Sequence, residues 1–123
     1  KEYGSEKRAI KNMDKISQYI NNVVLLNTDN KPILEQISHY VNKDKLILEH
    51  GAGMFFVLFM NKNSKILEIK TKASKNKNGA VDGLLRIAEI KNDTVNRLIV
   101  KNNSCISNYK KELIIISKSL FDS

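Results

Sequence analysis

The stretch from Lys45 to Thr71 constrains the fold of this chain more than any other. Lys45-Leu46-Ile47-Leu48-Glu49 is an apolar run too short for a globular helix, and it stops at the turn His50-Gly51-Ala52-Gly53. Its length, aliphatic content and glycine boundary predict a strand. Met54 to Met60 is apolar nearly all round, which predicts a buried helix with Phe55, Phe56 and Phe59 in the core. Asn61 to Ser64 turns the chain, and Lys65-Ile66-Leu67-Glu68-Ile69 alternates as a second strand, followed by a polar loop from Lys70 to Asn78. Strand, turn, helix and strand in succession form the building unit of an α/β domain.

The flanking sequence extends the same pattern. Ile10, Met13, Ile16 and Ile20 recur at helical spacing between Arg8 and Ile20, and the β-branched run Asn22 to Asn27 predicts a strand covered on both faces. Pro32 opens a helix whose apolar stripe is Ile33, Leu34, Ile37, Tyr40 and Val41. Val81, Leu84, Leu85 and Ala88 mark a further helix, Val95 to Val100 a last strand, and Ile106, Tyr109, Leu113, Ile116 and Leu120 a C-terminal helix. The expectation is a doubly wound, mostly parallel α/β sheet, with ligands bound beyond the carboxyl ends of the strands. The 123 residues, 1–123, make one domain. A fold of this kind normally begins with a strand ahead of the first helix, and here that strand is missing. Lys1-Glu2-Tyr3-Gly4-Ser5 has neither an initiator Met nor the apolar core of a signal peptide, so the chain reads as a fragment.

Composition narrows the partners without choosing among them. Twenty-one Lys and Arg against thirteen Asp and Glu give a net charge of +8, which favours anionic ligands: phosphates, nucleic acid or acidic surfaces. The lone Cys105 excludes a disulfide within the chain and any cysteine-rich metal site. No stretch is long and apolar enough to predict a transmembrane segment.

Chemistry concentrates at residues 50–53. Gly51 and Gly53 let the backbone come close to a ligand, and free N–H groups at the start of the next helix attract negative charge, so a diphosphate suits this turn. The imidazole of His50, at the carboxyl end of its strand, can donate to a phosphate or sugar oxygen. A short Gly-x-Gly turn serves close packing equally often. Glu68 can accept from a ribose hydroxyl, hold His50 in orientation, or pair with a lysine. Lys70, Lys72, Lys75 and Lys77 read as a solvated loop, and His39 as a surface residue.

The run Leu46-Ile47-Leu48-Glu49-His50-Gly51-Ala52-Gly53-Met54, then Leu58-Phe59 and Ser64 to Ile69, resembles the signature of family 61 glycosyltransferases. Upstream, Arg8-Ala9-Ile10-Lys11-Asn12 is similar to the Arg-x-Ile-x-Asn element of the same family. The resemblance implies a GT-B type enzyme of two facing Rossmann-like halves, of which this chain is the C-terminal, donor-binding one. It implies inverting transfer from a nucleotide sugar, UDP-linked, to a hydroxyl of a glycan, protein or lipid acceptor. No metal and no other cofactor is implied. Arg8, Asn12, His50, Gly51, Ala52, Gly53 and Glu68 match the motifs and are the donor-binding candidates, with no catalytic residue assigned. The missing N-terminal half-domain would carry most of the acceptor site, so the isolated chain should not catalyse transfer.

The family has a small polar residue and Asn where this chain has Phe55 and Phe56, which removes a polar contact and motivates an alternative, an inactive remnant or accessory subunit. A basic nucleic-acid-binding α/β module is the other alternative, and it rests on the net charge. The donor sugar, the acceptor and the choice between cytoplasm and secretory-pathway lumen leave no mark in the sequence.

Overall fold

The computed structural model describes residues 10–25, 30–71 and 83–122. Its centre is a three-stranded sheet of β1 (Lys45–Glu49), β2 (Lys65–Thr71) and β3 (Thr94–Val100), in the order β1-β2-β3 and parallel throughout. Leu48, Glu68 and Arg97 stand in one register row across the three strands. Each strand reaches its neighbour through a helical crossover: a 3₁₀ helix, Ala52–Phe59, between β1 and β2, and a helix between β2 and β3.

The helices in chain order are α1 (Ile16–Tyr19), which continues a 3₁₀ turn at Met13–Lys15, α2 (Ile33–Ser38), α3 (Gly83–Lys91) and α4 (Lys110–Phe121), which continues a 3₁₀ turn at Ile106–Tyr109. Two cores form because strand side chains alternate between the sheet's faces. On one face Ile66 packs with Val57 and Met60 of the 3₁₀ helix and Leu84 of α3, with Tyr40, Leu46, Leu48 and Val95 around them. On the other, Leu67, Ile69, Leu98 and Val100 pack with Ile10, Ile16, Ile106, Leu113 and Leu120. Crossovers of one hand, with the strand order advancing one way, place both connections on the same face, as found here.

The mixed α/β architecture with a parallel sheet is therefore as expected, and several details differ. Residues 22–25 join no strand; Val24 is 80% and Leu25 55% exposed, and residues 26–29 lie outside the described set. The first helix shrinks to a 3₁₀ turn and a single α-turn, since only Ile10 and Ile16 find a buried place. Ile33, Leu34 and Val41 are exposed because no described layer covers that side of α2. The segment after the glycine turn is a 3₁₀ helix, and its three-residue period aims Phe55 and Leu58 outward, leaving Phe56 and Val57 buried. Phe55 is thus not a core residue, whereas Phe56 stacks on Tyr40 with ring centroids 4.9 Å apart.

Asparagine supplies the turns that glycine often makes. Residues 12, 22, 30, 42, 63, 92 and 103 all have positive φ, and every one is Asn, the non-glycine residue that tolerates the left-handed region best. Asn63 and Asn92 also bond to each other at 2.9 Å, where the ends of α3 and the 61–64 turn meet below the sheet.

At that amino end a buried polar cluster ties three elements together. Lys91 donates to the Val57 carbonyl at 2.6 Å and ion-pairs with Asp93 at 3.2 Å, while Asp93 accepts the Ser64 backbone N–H at 2.8 Å. Lys91 is 9% exposed, so removing its counter-charge strands a buried ammonium. Asp93→Ala should cost about 3 kcal/mol of folding stability in urea denaturation. Glu89→Ala, on the exposed face of α3, should stay within about 0.5 kcal/mol of the parent. Equal midpoints for the two variants would refute this account of the cluster.

Candidate functional site

The carboxyl end of the sheet is organised around Glu68. Its side chain lies in the middle of β2 and is fully buried. A carboxylate out of water is strongly disfavoured unless charge and hydrogen bonds compensate it. Both come from the neighbouring strands. Arg97 of β3 donates from Nε to Oε1, and His50, one residue beyond β1, bonds through Nδ1 to Oε2 at 2.6 Å. His50 is held on the backbone side as well, because its N–H donates to the Ile69 carbonyl at 2.8 Å and extends the ladder by one step. Of the roles open to Glu68, orienting His50 is the one this geometry displays, and its cationic partner is Arg97 rather than a lysine.

The arrangement has a chemical consequence. Arg97 supplies the counter-charge of Glu68. An ionised carboxylate only accepts, so Nδ1 of His50 carries the proton and donates. In neutral His50, Nε2 is then a lone pair that accepts from a hydroxyl; it donates to a phosphate oxygen only when the ring is imidazolium. Nη2 of Arg97 is also buried and meets no hydrogen-bond partner among the described residues. Lys70, two residues beyond Glu68 and on the same face by strand alternation, is 4% exposed. It belongs to β2 and not to a solvated loop, while Lys72, Lys75 and Lys77 lie outside the described residues.

Gly51 has an extended backbone, so its φ does not demand glycine. Nor does packing, because a Cβ built there meets nothing within 4 Å. The tight-packing explanation of the glycine turn therefore fails at Gly51, which borders open space beside His50. Ala52 and Gly53 begin the 3₁₀ helix, and the Met54 N–H donates to the Gly51 carbonyl at 3.1 Å.

Asn12 stands elsewhere. Lys11 bridges to Cys105 beyond the end of β3, and the Asn12 amide donates to the Cys105 sulfur at 3.1 Å. Arg8 is outside the described residues. The two sequence elements thus reach the carboxyl side of the sheet at different strands, β1 and β3. Cys105 also accepts from the Ser107 hydroxyl at 3.3 Å. Bonds from the Ser107 side chain and backbone, and then from Asn12, hold its thiol below the usual range against a smaller upward push from burial, and the charge of Lys11 adds the smallest lowering effect. His39 is half-buried rather than a plain surface residue, and it lines a groove beside β1.

Arg97 escaped the sequence reading, yet a signal existed: Glu68 is the one acidic residue of β2 and Arg97 the one charged residue of β3. Pairing them requires the β2/β3 register, which only the fold supplies.

Comparison with known proteins returns no matching family model, no matching curated protein and no matching solved structure. Among the described residues no group of three or more His, Cys, Asp or Glu is placed to hold a metal ion, and no helix is long and apolar enough to cross a membrane.

Glu68→Ala should destabilise the fold by about 3 kcal/mol, because Arg97 is left partly buried without a counter-charge. Arg97→Leu combined with Glu68→Leu should recover much of that loss, giving a coupling energy above about 1 kcal/mol in a double-mutant cycle. Additive effects would count against the pair. For Cys105, the pH at which alkylation by iodoacetamide is half-maximal should lie below that of a free cysteine, and Ser107→Ala or Asn12→Ala should raise it. An unchanged midpoint in both variants would remove the hydrogen bonds as the cause.

Proposed function

We propose that this chain is the donor-binding, Rossmann-like half of a GT-B type inverting glycosyltransferase similar to family 61, and that residues 50–53 hold the diphosphate of a UDP-linked sugar. The observation that carries the reading is His50, pinned by a fully buried carboxylate at the carboxyl end of β1, next to open space at Gly51. A side chain fixed at such cost to burial is preorganised, and preorganised donors stabilise charge as it develops on a leaving group. His50 would face that charge, while the open space at Gly51 lets the backbone approach the phosphates. The acceptor hydroxyl would attack from the opposite side, with its base supplied by the N-terminal half.

Phe55 and Phe56 favour a second reading, an inactive remnant or accessory subunit. Phe56 is committed to Tyr40 and the core, and Phe55 offers no polar contact from the exposed first turn of the 3₁₀ helix.

Calorimetric titration of the intact protein with UDP tests both readings. Gly51→Ala should leave the unfolding midpoint unchanged and weaken UDP at least about tenfold, a loss of about 1.4 kcal/mol. No binding by the parent, or full binding by Gly51→Ala, would overturn the donor reading. With the N-terminal half present, binding without transfer from any UDP-sugar selects the inactive one.

A further inference from the structure

β1 is the outermost described strand on its side of the sheet, and its burial differs from that of β2. From Ile66 to Thr71 every residue of β2 is buried, whereas Leu46, Ile47 and Leu48 of β1 are only half-buried. Beside β1 runs a groove of about 1110 Å³. One wall comes from the α1 and α4 layer, with Tyr19 and Phe121; the other comes from the α2 side, with Tyr40; Leu46 and Ile47 form its base. Among the described residues, a gap at a sheet edge flanked by both covering layers has the shape of a vacant strand position, in which a strand would lie about 4.8 Å from β1.

The order of the chain indicates what belongs there. Tyr40, just after α2, packs in the same core as the two crossovers that follow, so α2 lies on their face of the sheet. A strand placed before α2 and beside β1 would make α2 a third crossover of the same kind, the arrangement that parallel sheets overwhelmingly adopt. Of the residues that line this groove between α1 and α2, the apolar run nearest to α2 is Val23, Val24 and Leu25. They are β-branched or aliphatic, and Val24 and Leu25 are largely exposed on irregular backbone. Large apolar side chains held in water next to a vacant, partly apolar strand position are driven to fill it.

We propose that residues 23–25 form a strap that closes onto β1 as a fourth parallel strand. In the closed state the sheet order advances from this strand through β1 and β2 to β3. Alternation then sends Val24 to one face and Val23 and Leu25 to the other. The carboxyl end of the new strand arrives at the same sheet edge as His50. The inference stands independently of the ligand bound there.

Amide hydrogen exchange on the intact protein, followed residue by residue by NMR at two protein concentrations, tests it. Closure predicts that the amides turned toward β1, which belong to alternate residues (Val24, or Val23 and Leu25), exchange at least 100-fold more slowly than in an unstructured peptide, equally at both concentrations. Val24→Asp, which puts a carboxylate against one of the covering layers, should speed exchange at the protected amides at least tenfold. Exchange at the unstructured rate in the parent overturns the proposal. So does protection that appears only at the higher concentration, which would assign the position to a strand of another copy, and so does protection that Val24→Asp leaves intact.

Discussion

A carboxylate buried in the central strand governs the carboxyl half of this molecule. Glu68 has no access to water, so its burial is tolerable only if the strands on either side deliver a cation and a second donor at the right height. Arg97 arrives from β3 and His50 from just beyond β1, each through the parallel register that aligns Leu48, Glu68 and Arg97. The requirement acts in both directions. A one-residue slip of either neighbour would turn its side chains to the opposite face and strand the charge. The pair therefore helps to specify the strand alignment that in turn creates the site.

The same economy governs the opposite end of the sheet, where Lys91 pairs in charge with Asp93, Asp93 accepts from the Ser64 N–H and Val57 receives a lysine bond. Between these polar ends lie two apolar cores, unequal in coverage. β2 is enclosed by strands and helices on every side. β1 is half-open, and apolar residues of α2 and of residues 24–25 face water beside it. An otherwise regular α/β unit with one unfinished edge accounts for part of the exposed hydrophobic surface; Phe55 and Leu58 of the 3₁₀ helix and Leu85, Ile90, Ile99 and Ile115 supply the rest.

How much of this could be read beforehand varied with the range of the interaction. β1, β2, the intervening glycine turn, β3 and α4 were legible because each is signalled by composition over a few residues. The 3₁₀ form of the Ala52–Phe59 segment was not, since an apolar run carries no period to separate three residues per turn from 3.6. His50 and Glu68 were legible as site candidates, and so was their mutual contact as one of three options. Arg97 was overlooked because its partner is 29 residues away in sequence. The contact of Asn12 with Cys105 spans 93 residues and lay further out of reach.

By itself, then, the sequence determined that strands and helices alternate, that a glycine turn follows β1, and that charge interrupts two apolar strands. These are local properties, set by side-chain pattern and backbone freedom. Only the tertiary structure decided which charges meet, that Gly51 opens onto free space instead of a packed neighbour, and that residues 22–25 have irregular backbone in this structure despite their strand-like composition. Pairing depends on register and on what lies across the gap, and neither is encoded in a run of four or five residues.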